Sequence, residues 1–127
     1  MTEIVTINGQ QMTMRASALL PRMYRYQFGR DALADMNKLR RSWTKAQQLP
    51  PDATREQQED AQLDALDLTI FENMCYLMLK QGGNQLPPTP DEWLDSIDGP
   101  FEIYQIMPTV LKLWNINQGT TASAKKK

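Results

Sequence analysis

The sequence predicts a mainly α fold: a small helical bundle of about five helices with a minor N-terminal β-hairpin. Three observations carry this. The stretch Leu66–Leu79 is apolar nearly all round when wound at about 100° per residue, so it must be covered on several sides. Stripes at helical spacing, opened by capping residues, flank it before and after. Near the start, Asn8-Gly9 joins two short alternating segments, a strong hairpin signal.

The hairpin occupies residues 3–15, with Glu3–Ile7 meeting Gln11–Met14. Ile4 and Thr6 should face one way, Val5 and Ile7 the other. Two strands are marginal alone, so one face must rest on helices. Ser17 is the expected N-cap of a first helix, Leu19–Phe28, ended by Gly29. Pro21 fits only within the first turn, so the start can slip toward Leu20. Leu20, Met23, Tyr24 and Phe28 form its inner stripe, and Arg22 and Arg25 point elsewhere.

Asp31 caps a second helix reaching about Gln48, with Leu33, Met36, Leu39, Trp43 and Ala46 inward and Lys38, Arg41 and Lys45 opposite. After a break at 49–54, a polar lead-in over 55–62 is expected to run straight into the central helix. Its acids Glu56, Glu59, Asp60 and Asp64 suit a helix N-terminus. Gly82-Gly83 ends that helix. Thr89-Pro90-Asp91-Glu92 then starts a short one, with Thr89 as N-cap, Pro90 at its first position and Glu92 closing a capping box. Asp98-Gly99-Pro100 leads into a last helix, Phe101–Asn115, containing Pro108. Residues 1–117 make a single domain, and 118–127 are expected to be a disordered basic tail.

Composition narrows the function. With 127 residues the chain can bury one core without disulfides or metal. Histidine is absent, which removes the commonest general base and the commonest transition-metal ligand. The single Cys75 lies mid-helix and reads as a packing thiol. Asp91, Glu92, Asp95 and Asp98 are where helix capping and the helix dipole favour acids, and their spacing does not match a calcium loop. Ser17, Ser42, Ser96 and Ser123 lack a base to activate them. No enzyme, cofactor or metal site is expected. The central stretch is too short and too polar to span a bilayer, and Met1-Thr2-Glu3 opens no signal peptide, so a cytoplasmic protein without membrane contact is expected.

The charge is polarised. Residues 1–50 hold eight Lys/Arg against three Asp/Glu, whereas 51–114 hold three against twelve. Such a chain can pair its halves internally or associate weakly with copies of itself, so a homo-oligomer is one expectation. The basic helix 31–48, with Lys38, Arg40, Arg41 and Lys45, is the best case for nucleic-acid binding. The acidic balance and the lack of aromatics among the basic residues argue against it, and no nucleic-acid partner is expected. The last helix carries an apolar arc of about 180°, more than one neighbour can cover. The excess either packs on the hairpin or is left for a partner. Its outer edge, Tyr104, Met107, Leu111 and Trp114, is the candidate partner-binding surface, since methionine adapts and aromatics anchor.

The order of elements adds a resemblance. An Ile-Val-Thr-Ile-Asn-Gly-Gln hairpin (4–10) leads into Leu-Pro-Arg-Met-Tyr-Arg-Tyr-Gln-Phe-Gly-Arg-Asp (20–31). An apolar helix, 68–79, and Pro-Thr-Pro-Asp-Glu-Trp-Leu-Asp (88–95) follow before the final amphipathic helix. Over about residues 3–117 this resembles the tail assembly chaperones of siphovirus-type bacteriophages and prophages. The resemblance implies a mostly helical fold with a small hairpin and neither catalysis nor cofactor. It also implies binding of the tape measure protein, which is kept soluble, and recruitment of tail tube protein in the host cytoplasm. Such chaperones are absent from the mature virion. Many have a longer product made by ribosomal frameshifting, and Lys125–Lys127 are compatible with a slippery site.

Overall fold

Asn8 and Gly9 both have positive φ, 52° and 79°, which lets two residues reverse the chain. They join β1 (Thr2–Ile7) to β2 (Gln10–Arg15), antiparallel, with Ile7 opposite Gln10 and Val5 opposite Met12. The alternation turns Val5, Ile7 and Met14 inward and leaves Ile4 outside. The structure, a computed structural model, describes residues 2–125 and the side chains of 2–115.

Helix α1 (Leu20–Phe28) starts where Pro21 tolerates it, with Leu19 at the N-cap and no side-chain cap. Ser17 is therefore not the cap. An intervening turn separates it from the helix, and its side chain makes a long-range tie: the Ser17 hydroxyl accepts from Gln81 Nε2 at 2.8 Å, and its N–H donates to Gln81 Oε1 at 3.1 Å. Gly29 ends α1 in the left-handed conformation, φ 66°, as its lack of a Cβ permits.

In α2 (Ala32–Gln47), Asp31 caps as expected, accepting from the Leu33 N–H at 3.0 Å. The inward stripe is rotated from the expected one. Ala32, Asp35, Met36 and Leu39 are buried, at i, i+3, i+4 and i+7, while Leu33 is exposed and Trp43 and Ala46 are half-buried. A carboxylate inside the stripe is what disguised it.

The lead-in does not run into the central helix. It forms α3 (Arg55–Asp60), capped by a Thr54/Gln57 box, and α4 (Ala65–Gln81) starts afresh. Asp64 accepts from the Asp67 N–H at 2.7 Å and donates its own N–H to the Asp67 carboxylate at 3.0 Å. That reciprocal box satisfies two N-terminal donors and starts a new helix at once. Among the described residues there are accordingly six helices rather than about five.

Helix α4 is the centre of the core. Ile70, Phe71 and every residue from Met74 to Leu79 are buried, Tyr76 included. Tyr76 lies inside with its hydroxyl donating to the Pro87 carbonyl, which satisfies the one polar atom of the side chain. Burial pushes the Cys75 thiol well up, and the Glu72 charge adds to it, so Cys75 stays a neutral packing group.

Helix α5 (Pro90–Asp95) has Thr89 accepting from the Glu92 N–H at 3.2 Å. Glu92 completes only half a capping box, since its carboxylate takes the Thr89 hydroxyl at 3.1 Å. Helix α6 (Ile103–Lys125) begins two residues later than expected and contains Pro108. The expected tail, 118–127, falls where side chains lie outside the described residues. Aromatic contacts join these elements: Tyr76 to Trp93 at 5.9 Å, Trp93 to Phe101 at 5.5 Å and Phe101 to Phe71 at 5.6 Å.

The hairpin is fastened to the end of α4. Asn84 Nδ2 donates to the carbonyls of Thr13 at 2.7 Å and Leu79 at 2.8 Å. At Gly82 the strand comes so close that an added Cβ would sit 2.0 Å from the Thr13 carbonyl oxygen. Neither backbone can yield cheaply there. Gly82→Ala is therefore expected to cost about 1–3 kcal/mol, as overpacking does, read as a lower urea midpoint at an unchanged m-value.

Candidate partner-binding surface

Of the four residues expected to face a partner, the structure leaves one on the surface. Met107 and Trp114 are fully buried and Leu111 nearly so, while Tyr104 is 64% exposed. The arc of α6 is wide because it packs on both α4 and β1, so its excess apolar surface meets the hairpin. Lys112 adds an ion pair to Glu3 of β1 at 3.0 Å. Met107, Leu111 and Trp114 are core. The apolar pattern shows that a wide face must be covered and cannot show by what. The double variant Met107→Asp with Leu111→Asp is accordingly expected to lose cooperative unfolding and most helical circular dichroism at 25 °C; a folded variant would show this face to be peripheral.

Tyr104 stands on Trp43 of α2, with ring centroids 5.5 Å apart. Phe101, Glu102, Ile103, Tyr104 and Gln105 line a shallow depression of about 290 Å³ at the start of α6. Phe101 and Ile103 are half-buried there, so the depression has an apolar floor and an aromatic wall. This is the part of the expected site that remains open to a partner.

The basic residues in and just before α2 are partly committed within the chain. Arg30 grips Asp35 with two hydrogen bonds, 2.7 and 2.9 Å, and the Tyr24 hydroxyl donates to the same carboxylate at 2.7 Å. Lys38 donates to Asp64 at 2.9 Å and to buried Asp67 at 2.8 Å. Its hydrogen bond to Asp67 raises the Lys38 pKa against the opposing effect of desolvation, and the contact with Asp64 adds to the rise. Arg40 donates to Asn115. Arg41 and Lys45 stay exposed, too few to follow a phosphate backbone.

Sequence reasoning passed over Asp35 and Asp67, the two buried acids. The signal was present: each sits at an otherwise apolar inward position, with a basic residue able to reach it. For Asp35, burial works to raise the pKa, but the hydrogen bonds of Arg30 and Tyr24, with the charges of Arg30 and Lys38, hold the carboxyl below its ordinary range. The Tyr24 phenol is pushed the other way, by burial first and by the Asp35 hydrogen bond second.

Among the described residues no group of His, Cys, Asp and Glu is placed to hold a metal ion, and no helix is long and apolar enough to cross a membrane. Compared with known proteins, the chain matches no family model, no curated protein and no solved structure.

The Asp35 site has a pH signature. A depressed folded pKa gives stability that is fully present above the unfolded value, about 3.9, and is lost as pH falls through the lower folded value. Asp35→Asn should cost about 1–3 kcal/mol at pH 7. The gap to the parent protein should narrow only below about pH 4, where the parent loses its own carboxylate. Urea titrations at several pH values will read this, and a gap constant down to pH 2 would contradict the assignment.

Proposed function

We propose that this chain is a tail assembly chaperone of a siphovirus-type phage or prophage. It binds the tape measure protein, keeps it soluble and helps bring tail tube protein to it in the host cytoplasm, and it is left out of the finished virion. The observation that carries the reading is the order of elements. An N-terminal Asn-Gly hairpin, the Phe28-Gly29 stop of α1, an all-round apolar α4 and the Thr89-Pro90 start of α5 precede a final amphipathic helix. That arrangement is what carries the resemblance, and the mainly helical fold with a small hairpin is what the resemblance implies.

The depression around Tyr104 is the binding surface in this reading. A tape measure protein presents long amphipathic helices, and such a helix is held by setting apolar side chains against an apolar surface with aromatic anchors. Tyr104 on Trp43, flanked by Phe101 and Ile103, offers that on a rigid base. The alternative, a small phage-encoded nucleic-acid-binding or regulatory protein using helix 31–48, is weakened because Arg30, Lys38 and Arg40 are occupied within the chain.

Tyr104→Glu tests the surface, because Tyr104 is exposed and the variant should keep its fold. The parent protein is expected to hold co-expressed tape measure fragments in the soluble fraction, and the variant to lose most of that effect with unchanged circular dichroism. A variant as effective as the parent would rule out this surface. A parent protein that solubilises nothing, yet shifts DNA at micromolar concentration in physiological salt, would overturn the chaperone reading itself.

A further inference from the structure

We propose that the outer edge of β1 is a docking site for an extended segment of another protein, which adds to the hairpin as a third strand. This inference stands apart from the chaperone reading and from the depression at Tyr104.

In a hairpin closed by two residues, the pair flanking the turn exchanges backbone hydrogen bonds, and the pattern alternates from there. Ile7 with Gln10, Val5 with Met12 and Glu3 with Met14 are then bonded across the ladder. The N–H and C=O groups of Thr2, Ile4 and Thr6 point away from β2, and those of Gln11, Thr13 and Arg15 point away from β1. The β2 edge is closed by the end of α4: the outward Thr13 carbonyl accepts from Asn84, and Gly82 lies against it. The β1 edge stays open. Among the described residues, no hydrogen bond reaches the backbone of Ile4 or Thr6 from outside the hairpin. Both residues are exposed, Ile4 at 66%, so these backbone groups are left to water.

Edge strands are usually guarded by lysine, proline, a bulge or an inward charge. Strand β1, Thr-Glu-Ile-Val-Thr-Ile, has no lysine, proline or glycine, and its one charge, Glu3, is answered by Lys112 of α6. The donors and acceptors at Ile4 and Thr6 recur at the spacing of a strand, so an extended backbone fits them and a helix does not. Exposed Ile4 supplies a neighbour on the outer face, which favours a β-branched or other apolar residue beside it. A strand of this length gives an edge of about 20 Å. That is too little for a second folded copy of this chain, since a specific interface between folded bodies buries about 1,200–2,000 Å². A short extended segment is held by the backbone bonds themselves.

The blocked peptide Thr-Val-Thr-Val-Thr, titrated into the isotope-labelled full chain, tests this by NMR. Amide shifts are expected along β1, and hydrogen exchange at Ile4 and Thr6 should slow about tenfold or more once the peptide is in excess. The same peptide N-methylated throughout should not bind. Thr6→Pro should abolish binding with the hairpin intact, because the N–H it removes is not part of the ladder. Ile4→Lys, at an exposed position, should weaken binding and keeps the test alive if Thr6→Pro fails to fold. No shift up to the limit of peptide solubility overturns the proposal, as do shifts centred away from β1. So does binding that survives N-methylation or Thr6→Pro. Ile4 and Thr6 amides that exchange as slowly as Val5 before any peptide is added would show the edge already covered, by the chain or by a copy, and overturn it as well.

Discussion

A helix that is apolar nearly all round cannot have a solvent side, and the fold follows from meeting that condition for α4. Met74 to Leu79 are buried without a break, more than one turn with no exposed position. One neighbour covers roughly 100° of a helix, so several are needed. The hairpin, α1, α2, α5 and α6 each pack on α4. Two of those contacts are held by polar ties at its C-terminal end, Ser17 with Gln81 and Asn84 with the Thr13 carbonyl. The hairpin cannot stand alone, and α4 cannot stay uncovered, so each removes the other's liability.

The second constraint is electrostatic and sits where α1, α2 and α4 meet. Asp35 and Asp67 are both buried, and each is tolerable only because a cation and further hydrogen bonds reach it. Asp35 has Arg30 and the Tyr24 hydroxyl, and Asp67 has Lys38 and the Asp64 N–H. Replacing such pairs by apolar groups need not destabilise a fold, so their contribution here is better described as register. Lys38 can satisfy Asp64 and Asp67 together only when α2 lies at one height along α4. The same contacts occupy Arg30 and Lys38, so the basic residues of α2 do not form a continuous open stripe.

How far the sequence could be read depended on whether the deciding interaction was local. The hairpin, the Gly29 stop, the Asp31 cap and the Thr89 cap are set within a few residues and were all legible. The misreadings share a different cause. Ser17 looked like a cap because nothing nearby revealed Gln81, some sixty residues on. The stripe of α2 was rotated because Asp35 reads as outward until Arg30 and Tyr24 are seen to fold over it. The break before α4 was hidden because Asp64 and Asp67 both suit a continuous helix and a fresh N-terminus. At the candidate surface, periodicity measured the width of the α6 face and left the hairpin and a partner as alternatives for Met107, Leu111 and Trp114; only the packing of α6 on β1 decides for the hairpin.

On the proposed reading, what remains on the outside bears on how a client would be held. With the described part of the α6 face committed to the core, it offers a partner helix no long apolar groove among the described residues. Among the described residues, two of the open apolar sites are small: the depression at Tyr104 and the ridge of Leu19 and Tyr26. Each offers one or two aromatic anchors, enough for weak contacts and too little for a tight one. A weak site suits a client that repeats similar amphipathic segments along its length. The lack of a deep site along the described part of α6 fits such a client, because many shallow contacts can be made and released one at a time where a few deep ones could not.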